Sequence, residues 1–410
     1  MSLASTGCPK KNCDKENSGQ SPHAGPGLAN FVLWKSTILS SLLVIAGDGT
    51  IYATSSSKIT AINPDDGTAE WELPLNAMSG CPAIGSDGTI YRAGFTTEDI
   101  AKPALHAVNP DGTLKWTCGF ASLHYSPESG VNIAPDGTIA FSSWYTYAFS
   151  ATGVKKWTNS RTYVYSTPAF DSNGNIYYSS PYPYCVDSSG TTKWYIRLDS
   201  LDTYVSLIFI RPILFNNVLH VIYGRSPDGY YGDYEINVAK IDLSGNIVSK
   251  KYLFTIPYGG GLYFHSFCMD SDGNIYIWSQ RNVSAFTNSG VKLWDSGYVD
   301  FAYIGYIGYV TDTRDQFMVV GSGDYLYGGN RVGEVFAIDK NTGIVRWRLK
   351  ISTSDIIGIS IGPDNCLYVV CATGTFKIGS SGIDIVETNL SEYLTDASTG
   401  KTITPLLGGV

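Results

Sequence analysis

The chain has 410 residues, of which 43% are hydrophobic and only 16% are charged, with 44 glycines and 29 tyrosines. Few charges with many glycines and aromatic residues favour an all-β protein with many turns. The net charge of −8 argues against an electrostatic nucleic-acid partner, which would need a basic stripe. The most apolar stretch, 207–223, is interrupted by Arg211, Pro212 and His220, so no run reaches the ~18 residues of a membrane span.

Residues 1–27 are predicted to form an N-terminal tail. They contain no leader with a charged start and an apolar centre, so we expect an exported protein whose leader is absent from the chain. The phrase Ser5-Thr6-Gly7-Cys8 resembles the end of a lipoprotein leader, in which the Cys carries lipid. The usual Leu three residues before that Cys is missing. Lipidation and pairing of Cys8 both stay open.

One phrase, with the consensus Asp-Gly-Thr-Ile-Tyr, then recurs along the chain. Its eight copies begin at Asp48, Asp87, Asp136, Asn173, Asn216, Asp272, Gly323 and Asp364. Asp-Gly and Asn-Gly favour tight turns because glycine readily takes positive φ. The alternating apolar residues around these turns indicate short strands.

A second phrase, Gly-x-x-x-Trp, follows in most copies. Six copies have a tryptophan in this slot, namely Trp71, Trp116, Trp157, Trp194, Trp294 and Trp347. The fifth copy has Ser249 and the eighth has Val386 at the same position. Because one slot is filled six times, we interpret these side chains as structural docking residues that fill the wedge between neighbouring repeats, not as a cofactor stack.

The repeats predict an all-β, eight-bladed β-propeller with four-stranded antiparallel blades over residues 28–386. Residues 387–410 are predicted to be a C-terminal tail. Two routes of ring closure are open. We favour a strand ending near Trp34 as the last strand of the final blade; the alternative is that residues 382–386 supply it.

The repeat resembles the tryptophan-docking repeat of pyrroloquinoline-quinone-like propellers. This family includes quinoprotein alcohol dehydrogenases and the lipoprotein subunit of the bacterial outer-membrane β-barrel assembly machine. The phrase at residues 17–26, followed by Trp34, resembles the opening that often precedes the first blade in bacterial and archaeal members. The resemblance covers about residues 16–386, and it implies the fold far more specifically than the function.

Eight cysteines are present, and none forms the C-x-x-C spacing of a zinc site. Cys8 with Cys13, and Cys366 with Cys371, are local candidates for disulfides in an exported protein. An alternative interpretation treats four cysteines as small buried residues on strands. We favour it for Cys81, Cys185, Cys268 and Cys366.

Candidate contact residues fall in two places. Ser166, Arg211 and His265 lie near the starts of predicted innermost strands, where they either contact a ligand or partner or line the channel with bonds to water and backbone. A tyrosine-rich insertion in the fifth copy contains Tyr230, Tyr231 and Tyr234, and a second lies at 298–309. Such loops suit contact with a protein or glycan; equally, they cover blade edges.

The resemblance also defines what a quinoprotein site would require: adjacent cysteines, a calcium-binding acidic set and a catalytic Asp. No adjacent Cys-Cys occurs in the sequence, and no acidic cluster matches. Residues 270–274 lack the distal Glu of a calcium loop and read as a turn of the repeat. We therefore predict no quinone, no calcium, no other metal and no catalytic residue.

The sequence favours a non-catalytic binding or scaffold propeller, exported or at a cell surface, monomeric, and contacting protein or glycan through its loops. The alternative is an enzyme: a quinoprotein-like oxidoreductase, or another enzyme with its site at the channel mouth.

Overall fold

The computed structural model describes residues 21–27, 31–38, 40, 42–75, 81–96, 102–120, 130–142, 145–160, 168–179, 182–198, 212–226, 232–257, 264–279, 282–299 and 318–379. These residues form strands and turns and contain no helix. The strands assemble into eight four-stranded antiparallel sheets. The predicted eight-bladed β-propeller is thus confirmed.

The strands are numbered in chain order, and β1 (Phe31–Ser36) precedes the first blade. The first four blades in the sequence comprise β2 (Leu42–Ile45), β3 (Ile51–Thr54), β4 (Lys58–Ile62) and β5 (Ala69–Pro74); β6 (Ala83–Ile84), β7 (Ile90–Phe95), β8 (Pro103–Val108) and β9 (Leu114–Gly119); β10 (Asn132–Ile133), β11 (Ile139–Ser142), β12 (Thr146–Phe149) and β13 (Lys155–Asn159); and β14 (Ala169–Phe170), β15 (Ile176–Ser179), β16 (Pro183–Val186) and β17 (Thr192–Tyr195).

The remaining strands form blades five to eight. They are β18 (Ile213–Phe215), β19 (Val218–Arg225), β20 (Tyr234–Asp242) and β21 (Ile247–Ile256); β22 (Phe264–Met269), β23 (Ile275–Ser279), β24 (Asn282–Phe286) and β25 (Lys292–Asp295); β26 (Met318–Val320), β27 (Tyr325–Gly329), β28 (Glu334–Asp339) and β29 (Val345–Lys350); and β30 (Ile356–Ile361), β31 (Leu367–Cys371) and β32 (Gly374–Gly379), which β1 completes.

The repeated turns explain why the chain folds this way. At the first turn, Ala46 N donates to Thr50 O at 2.9 Å, and Asp48 Oδ1 accepts the N–H of Thr50 at 3.0 Å. Gly49 between them has φ +96°, a conformation that glycine adopts without a steric penalty. The turns joining first to second and third to fourth strands lie on one side of the ring, which we call the turn face. The other connections lie on the opposite side, the loop face.

The first strands surround the axis. Contacts join β2 to β30, β14 to β18, β22 to β26 and β26 to β30. The core lies between blades, as stacking of repeats requires. One cluster combines Ile236 of the fifth blade with Phe267 of the sixth. The fourth strands alternate between exposed and half-buried residues and form the rim.

The ring closes through β1. It pairs antiparallel with β32, and Trp34 lies opposite Lys377. The favoured closure by Trp34 is therefore confirmed, and Trp34 takes the place in the eighth blade that the repeat assigned to Val386. Residues 382–386 and the predicted tail 387–410 lie outside the described residues.

Residues 21–27 complete the joint between blades seven and eight. Tyr327 donates its hydroxyl to Pro26 O at 2.6 Å, and the indole of Trp347 donates to Gly27 O at 3.0 Å. Gly25 has φ +78°, and a Cβ there would lie 2.5 Å from the Tyr327 ring. This segment stands in for the third-to-fourth-strand turn that the eighth blade lacks, so the part of the predicted tail that the structure describes is packed on the propeller.

The cysteines agree with one favoured interpretation and contradict another. Cys366 and Cys371 are both free, so they do not form the disulfide that was the alternative for this pair. Cys81 is disulfide-bonded, so the favoured interpretation of Cys81 as a simple buried strand residue is wrong. Cys185 and Cys268 form no disulfide and are buried on β16 and β22, as predicted. Cys366 is half-buried and lies just before β31.

Candidate functional site

Seven tryptophans fasten seven of the eight blades to the element that follows. Each indole N–H donates to a backbone carbonyl of that element over 2.8 to 3.2 Å. The pairs are Trp34 with Pro64, Trp71 with Pro110, Trp116 with Ala151, Trp157 with Ser188, Trp194 with Leu243, Trp294 with Lys340, and Trp347 with Gly27.

Trp71 illustrates the packing at these joints. Its ring lies over Gly112, where an added Cβ would come within 2.6 Å of Trp71 Cδ2. Its other neighbour is Tyr52 of the same blade, with ring centroids 5.7 Å apart. The tryptophan, the glycine and the tyrosine of the repeated phrases therefore form one structural unit. A cofactor has no room to stack on that ring face.

The joint between blades five and six is different. Ser249 occupies the tryptophan position on β21 and lies opposite Lys240. Lys251 packs against Gly290 instead, 3.1 Å from where a Cβ would be. His220 bonds through Nε2 to Asn288 Oδ1 at 2.9 Å, and burial lowers its pKa. A hydrogen bond and a lysine stem thus replace the missing indole.

Blade five is also longer than the others. Strands β19, β20 and β21 contain eight, nine and ten residues, whereas the second, third and fourth strands elsewhere contain four to six. Because β19 begins directly after its turn at Asn217, the extra residues lie at the loop-face end. There Arg225 pairs with Glu235 at 2.6 Å, and Phe254 stacks on Phe286 of blade six with ring centroids 6.0 Å apart.

The outer edge of β21 is exposed and carries apolar side chains beside two lysines. Val248 and Tyr252 are 60% and 55% exposed. Two lysines on this strand contact neighbouring blades: Lys250 donates to Leu198 O, and Lys251 packs on Gly290. Edge strands are normally kept short, so its ten residues make β21 the rim strand best suited to pair with another chain. We call residues 247–256 the blade-five edge.

The predicted contact residues fall in various places. Ser166, Arg211, Tyr230 and Tyr231 lie outside the described residues. His265 lies on β22, the first strand of blade six. Tyr234 is only 7% exposed and belongs to the core cluster between blades five and six. Its side chain is therefore interior, because the insertion lengthens β20 and carries Tyr234 into the sheet.

A buried polar pair lies at the second blade. Arg92 on β7 donates to Ser55 O at 2.6 Å and Lys58 O at 3.2 Å, and it faces His106 on β8. His106 Nε2 donates to Phe95 O at 2.9 Å, so Nδ1 accepts from the Thr117 hydroxyl at 3.0 Å. Burial lowers the pKa of His106 to about 4 and that of Arg92 to about 9. Both His106 nitrogens are engaged, so this pair suits structure better than proton transfer.

The residues that the structure describes do not fit a quinoprotein cofactor site. No group of three or more His, Cys, Asp or Glu side chains among them is arranged to hold a metal ion. The sequence has no adjacent cysteines to stack on a quinone. We therefore derive no step through quinone or calcium.

Comparisons with known proteins agree with this architecture. Residues 279–378 match the family model described as "Outer membrane protein assembly factor BamB". BamB from Moraxella catarrhalis is 15% identical, with a TM-score of 0.53 over 88% of this chain and 98% of that one. No curated protein sequence matches the chain.

Two dehydrogenase structures are also similar. Quinohemoprotein alcohol dehydrogenase ADHIIG from Pseudomonas putida HK5 is 11% identical, with a TM-score of 0.56 over 92% of this chain and 81% of that one. The quinohemoprotein alcohol dehydrogenase from Comamonas testosteroni is 12% identical, with a TM-score of 0.55 over 93% and 82%.

The fold is an eight-bladed β-propeller. It is similar in architecture both to BamB and to the quinohemoprotein alcohol dehydrogenases, and its last blades match the BamB family model. A search of the described residues for a helix that could span a membrane finds none.

Proposed function

We propose that this chain is a non-catalytic, exported scaffold propeller that binds an extended segment of a partner protein along the blade-five edge. The observation that carries the proposal is the length and exposure of β21. Among the described strands, β21 pairs only with β20, so a row of backbone N–H and C=O groups faces outward. Such a row binds a peptide as an added strand.

Length favours this edge over the other rims. The fourth strands of the other blades contain four to six residues and β21 contains ten. Because alternate residues of a strand direct their backbone groups outward, β21 offers about twice as many hydrogen bonds to a partner. A short edge holds a peptide too weakly to be specific.

The exposed side chains add apolar contact area. Val248 and Tyr252 lie four positions apart on β21, and Tyr195, Val291 and Leu293 are exposed on the adjacent rims. Aromatic side chains provide large contact area at little entropic cost. The backbone groups of a strand edge pair with those of an extended peptide. A sugar has no regular row of such groups, so the edge favours a protein partner over a glycan.

Export and a non-catalytic role have separate support. The disulfide at Cys81 suits an oxidising compartment, and the architecture is like that of BamB. Likeness to alcohol dehydrogenases is a likeness of fold, which does not carry activity. We expect the free chain to be a monomer.

The test uses ten-residue random peptides displayed on phage and selected on the immobilised full chain. The variant Val248→Asp/Tyr252→Asp changes the blade-five edge. The matched control, Leu114→Asp/Val154→Asp, changes rim residues of blades two and three that are 47% and 64% exposed. We expect selected peptides to bind the wild type and the control equally and the edge variant at least tenfold more weakly.

Hydrogen exchange locates the bound peptide. Binding should slow exchange of the backbone amides of residues 247–256, because added-strand pairing protects them. Peptides that bind all three proteins equally, or that protect another blade, would refute the proposal. So would a selection that yields no binding peptide.

A further inference from the structure

In most blades the second, third and fourth strands place a tyrosine, a small residue and the docking tryptophan side by side. In the first blade Tyr52 lies opposite Ala61, and Ala61 lies opposite Trp71. Side chains directly opposite each other on antiparallel strands lie on one face of the sheet. We call these three aligned positions the docking row. The row faces the next blade, because Trp71 packs on Gly112 there.

The docking row of blade five is polar. His220 lies opposite Lys240, and Lys240 lies opposite Ser249. The row faces blade six, because the buried His220 bonds to Asn288 there. Lys251, two positions after Ser249 on the same strand, lies on the same side and also packs against blade six. A joint that is aromatic in most blades therefore carries two ammonium groups here.

Neither of these lysines has a counter-ion among the residues that the structure describes. Lys240 forms no ion pair or side-chain hydrogen bond with them, and burial lowers its pKa with no carboxylate to raise it again. Lys251 likewise forms no such bond with a described residue. Lys115 on the rim of blade two, by contrast, pairs with Asp87 at 3.1 Å. Because a partly buried ammonium group without a partner costs free energy, the joint favours an anion.

Blade eight shows how a lysine in this row is compensated. Its docking row also has a lysine at the central position, Lys377. Lys377 pairs at 2.9 Å with Asp364, which lies in the turn between the first and second strands of the blade. The corresponding turn of blade five consists of Asn216 and Asn217 and contains no acid. Blade five thus has the lysine and lacks the carboxylate that compensates it in blade eight.

We propose that this joint binds a carboxylate of the partner: an aspartate or glutamate side chain of the extended segment that pairs with the blade-five edge, so this proposal rests on the proposed function. Residues 249–252 pair regularly with β20 between two bulges, and an added strand would continue the docking row. Its residue opposite Ser249 would lie about 5 Å away, Cβ to Cβ. Serine is small, and the four-carbon stem of Lys240 is long enough to bring its ammonium to a carboxylate at that position.

The register of β21 also defines the pattern of the partner. The partner residues opposite Ser249 and Lys251 lie on the blade-six side, beside the two ammonium groups, and both are acidic. The residues between and after them lie on the other side, where Tyr252 is exposed and favours an apolar neighbour. The partner is therefore an extended segment in which acidic and apolar residues alternate.

Matched peptides test the preference for acid. A fluorescein-labelled ten-residue peptide alternates glutamate with valine and threonine, and a second peptide has glutamine for every glutamate. By fluorescence anisotropy we expect the glutamate peptide to bind the full chain at least tenfold more tightly than the glutamine peptide. Lys240→Gln/Lys251→Gln should abolish the difference. The control Lys115→Gln/Lys156→Gln, which removes two lysines from the rims of blades two and three, should keep it.

Hydrogen exchange of the same complexes separates this proposal from the proposed function. Equal binding of the two peptides, with slowed exchange at residues 247–256, would overturn the acidic partner and leave strand addition intact. A preference for glutamate without slowed exchange at 247–256 would refute strand addition and the acidic strand with it. Binding of neither peptide would overturn both.

Melting temperatures test the uncompensated lysine without any peptide. Lys240→Gln should melt no lower than the wild type, because it removes a charge that has no partner. Lys377→Gln should melt at a lower temperature, because it leaves Asp364 without its ammonium. If Lys240→Gln lowers the melting temperature as much as Lys377→Gln does, Lys240 has a counter-ion within the chain and the proposal is wrong.

Discussion

At the scale of single residues, each docking tryptophan stabilises the fold in two ways, through the packing of its ring and through its N–H hydrogen bond. Trp71→Phe keeps a ring over Gly112 and loses the hydrogen bond to Pro110 O, which should lower the free energy of unfolding by about 1 kcal/mol. Trp71→Ala also loses the ring, with an expected loss of about 3 kcal/mol. Urea denaturation of the two variants beside the wild type measures both values. Equal losses would mean that the ring contributes nothing beyond its N–H.

A buried histidine gives a pH signature at the same scale. His106 has a pKa of about 4 in the folded chain against about 6.5 unfolded. The unfolded state therefore binds the extra proton between these values, and stability falls as the pH drops through that window. From pH 7 to pH 5 this residue should remove about 2 kcal/mol of unfolding free energy.

The control for that signature is His106→Gln, which keeps an amide donor and acceptor but does not titrate in this range. Its unfolding free energy, measured by urea denaturation at several pH values, should vary between pH 5 and 7 by about 2 kcal/mol less than that of the wild type. An unchanged pH dependence would assign the loss to other groups. His220, whose pKa burial also lowers, acts in the same direction.

At the scale of elements, the repeated phrases predicted the features that recur in every blade. Turn glycines and the tryptophan slot recur in sequence because the same turn and joint recur in space, so blade number and strand order were predictable. The places where one blade departs from the repeat were harder to predict from the sequence. Ser249 in the tryptophan slot signalled an unusual fifth joint, but the contacts of Lys251 and His220 depend on residues about 40 and 70 positions away.

Blade five shows why the candidate surface was only partly predicted. Its insertion was visible as a tyrosine-rich run, and loop contact was the natural interpretation. In the structure, Tyr234 lies in a lengthened β20 and packs inward. The resulting exposed edge belongs to β21, which has no unusual motif. Only the pairing of the nine-residue β20 with the ten-residue β21 makes that edge long.

At the scale of the whole molecule, one non-covalent pairing closes the ring. Strand β1 brings Trp34 to Pro64 O of the first blade and pairs with β32 of the last. All six residues of β32 are buried, so removing β1 would expose an apolar edge. A chain lacking residues 1–36 should therefore melt at a lower temperature than one lacking residues 1–20, and it should tend to associate.

Complementation in trans makes this closure measurable. A synthetic peptide of residues 21–36 should bind the chain lacking 1–36 as a donated strand and restore its melting temperature. The same peptide with Trp34→Ala should bind at least tenfold more weakly, about 1.4 kcal/mol, because it loses the indole bond to Pro64 O and the contact with Gly67. If the chain lacking 1–36 melts as the longer one does, another strand closes the ring, and residues 382–386 become the segment to delete next.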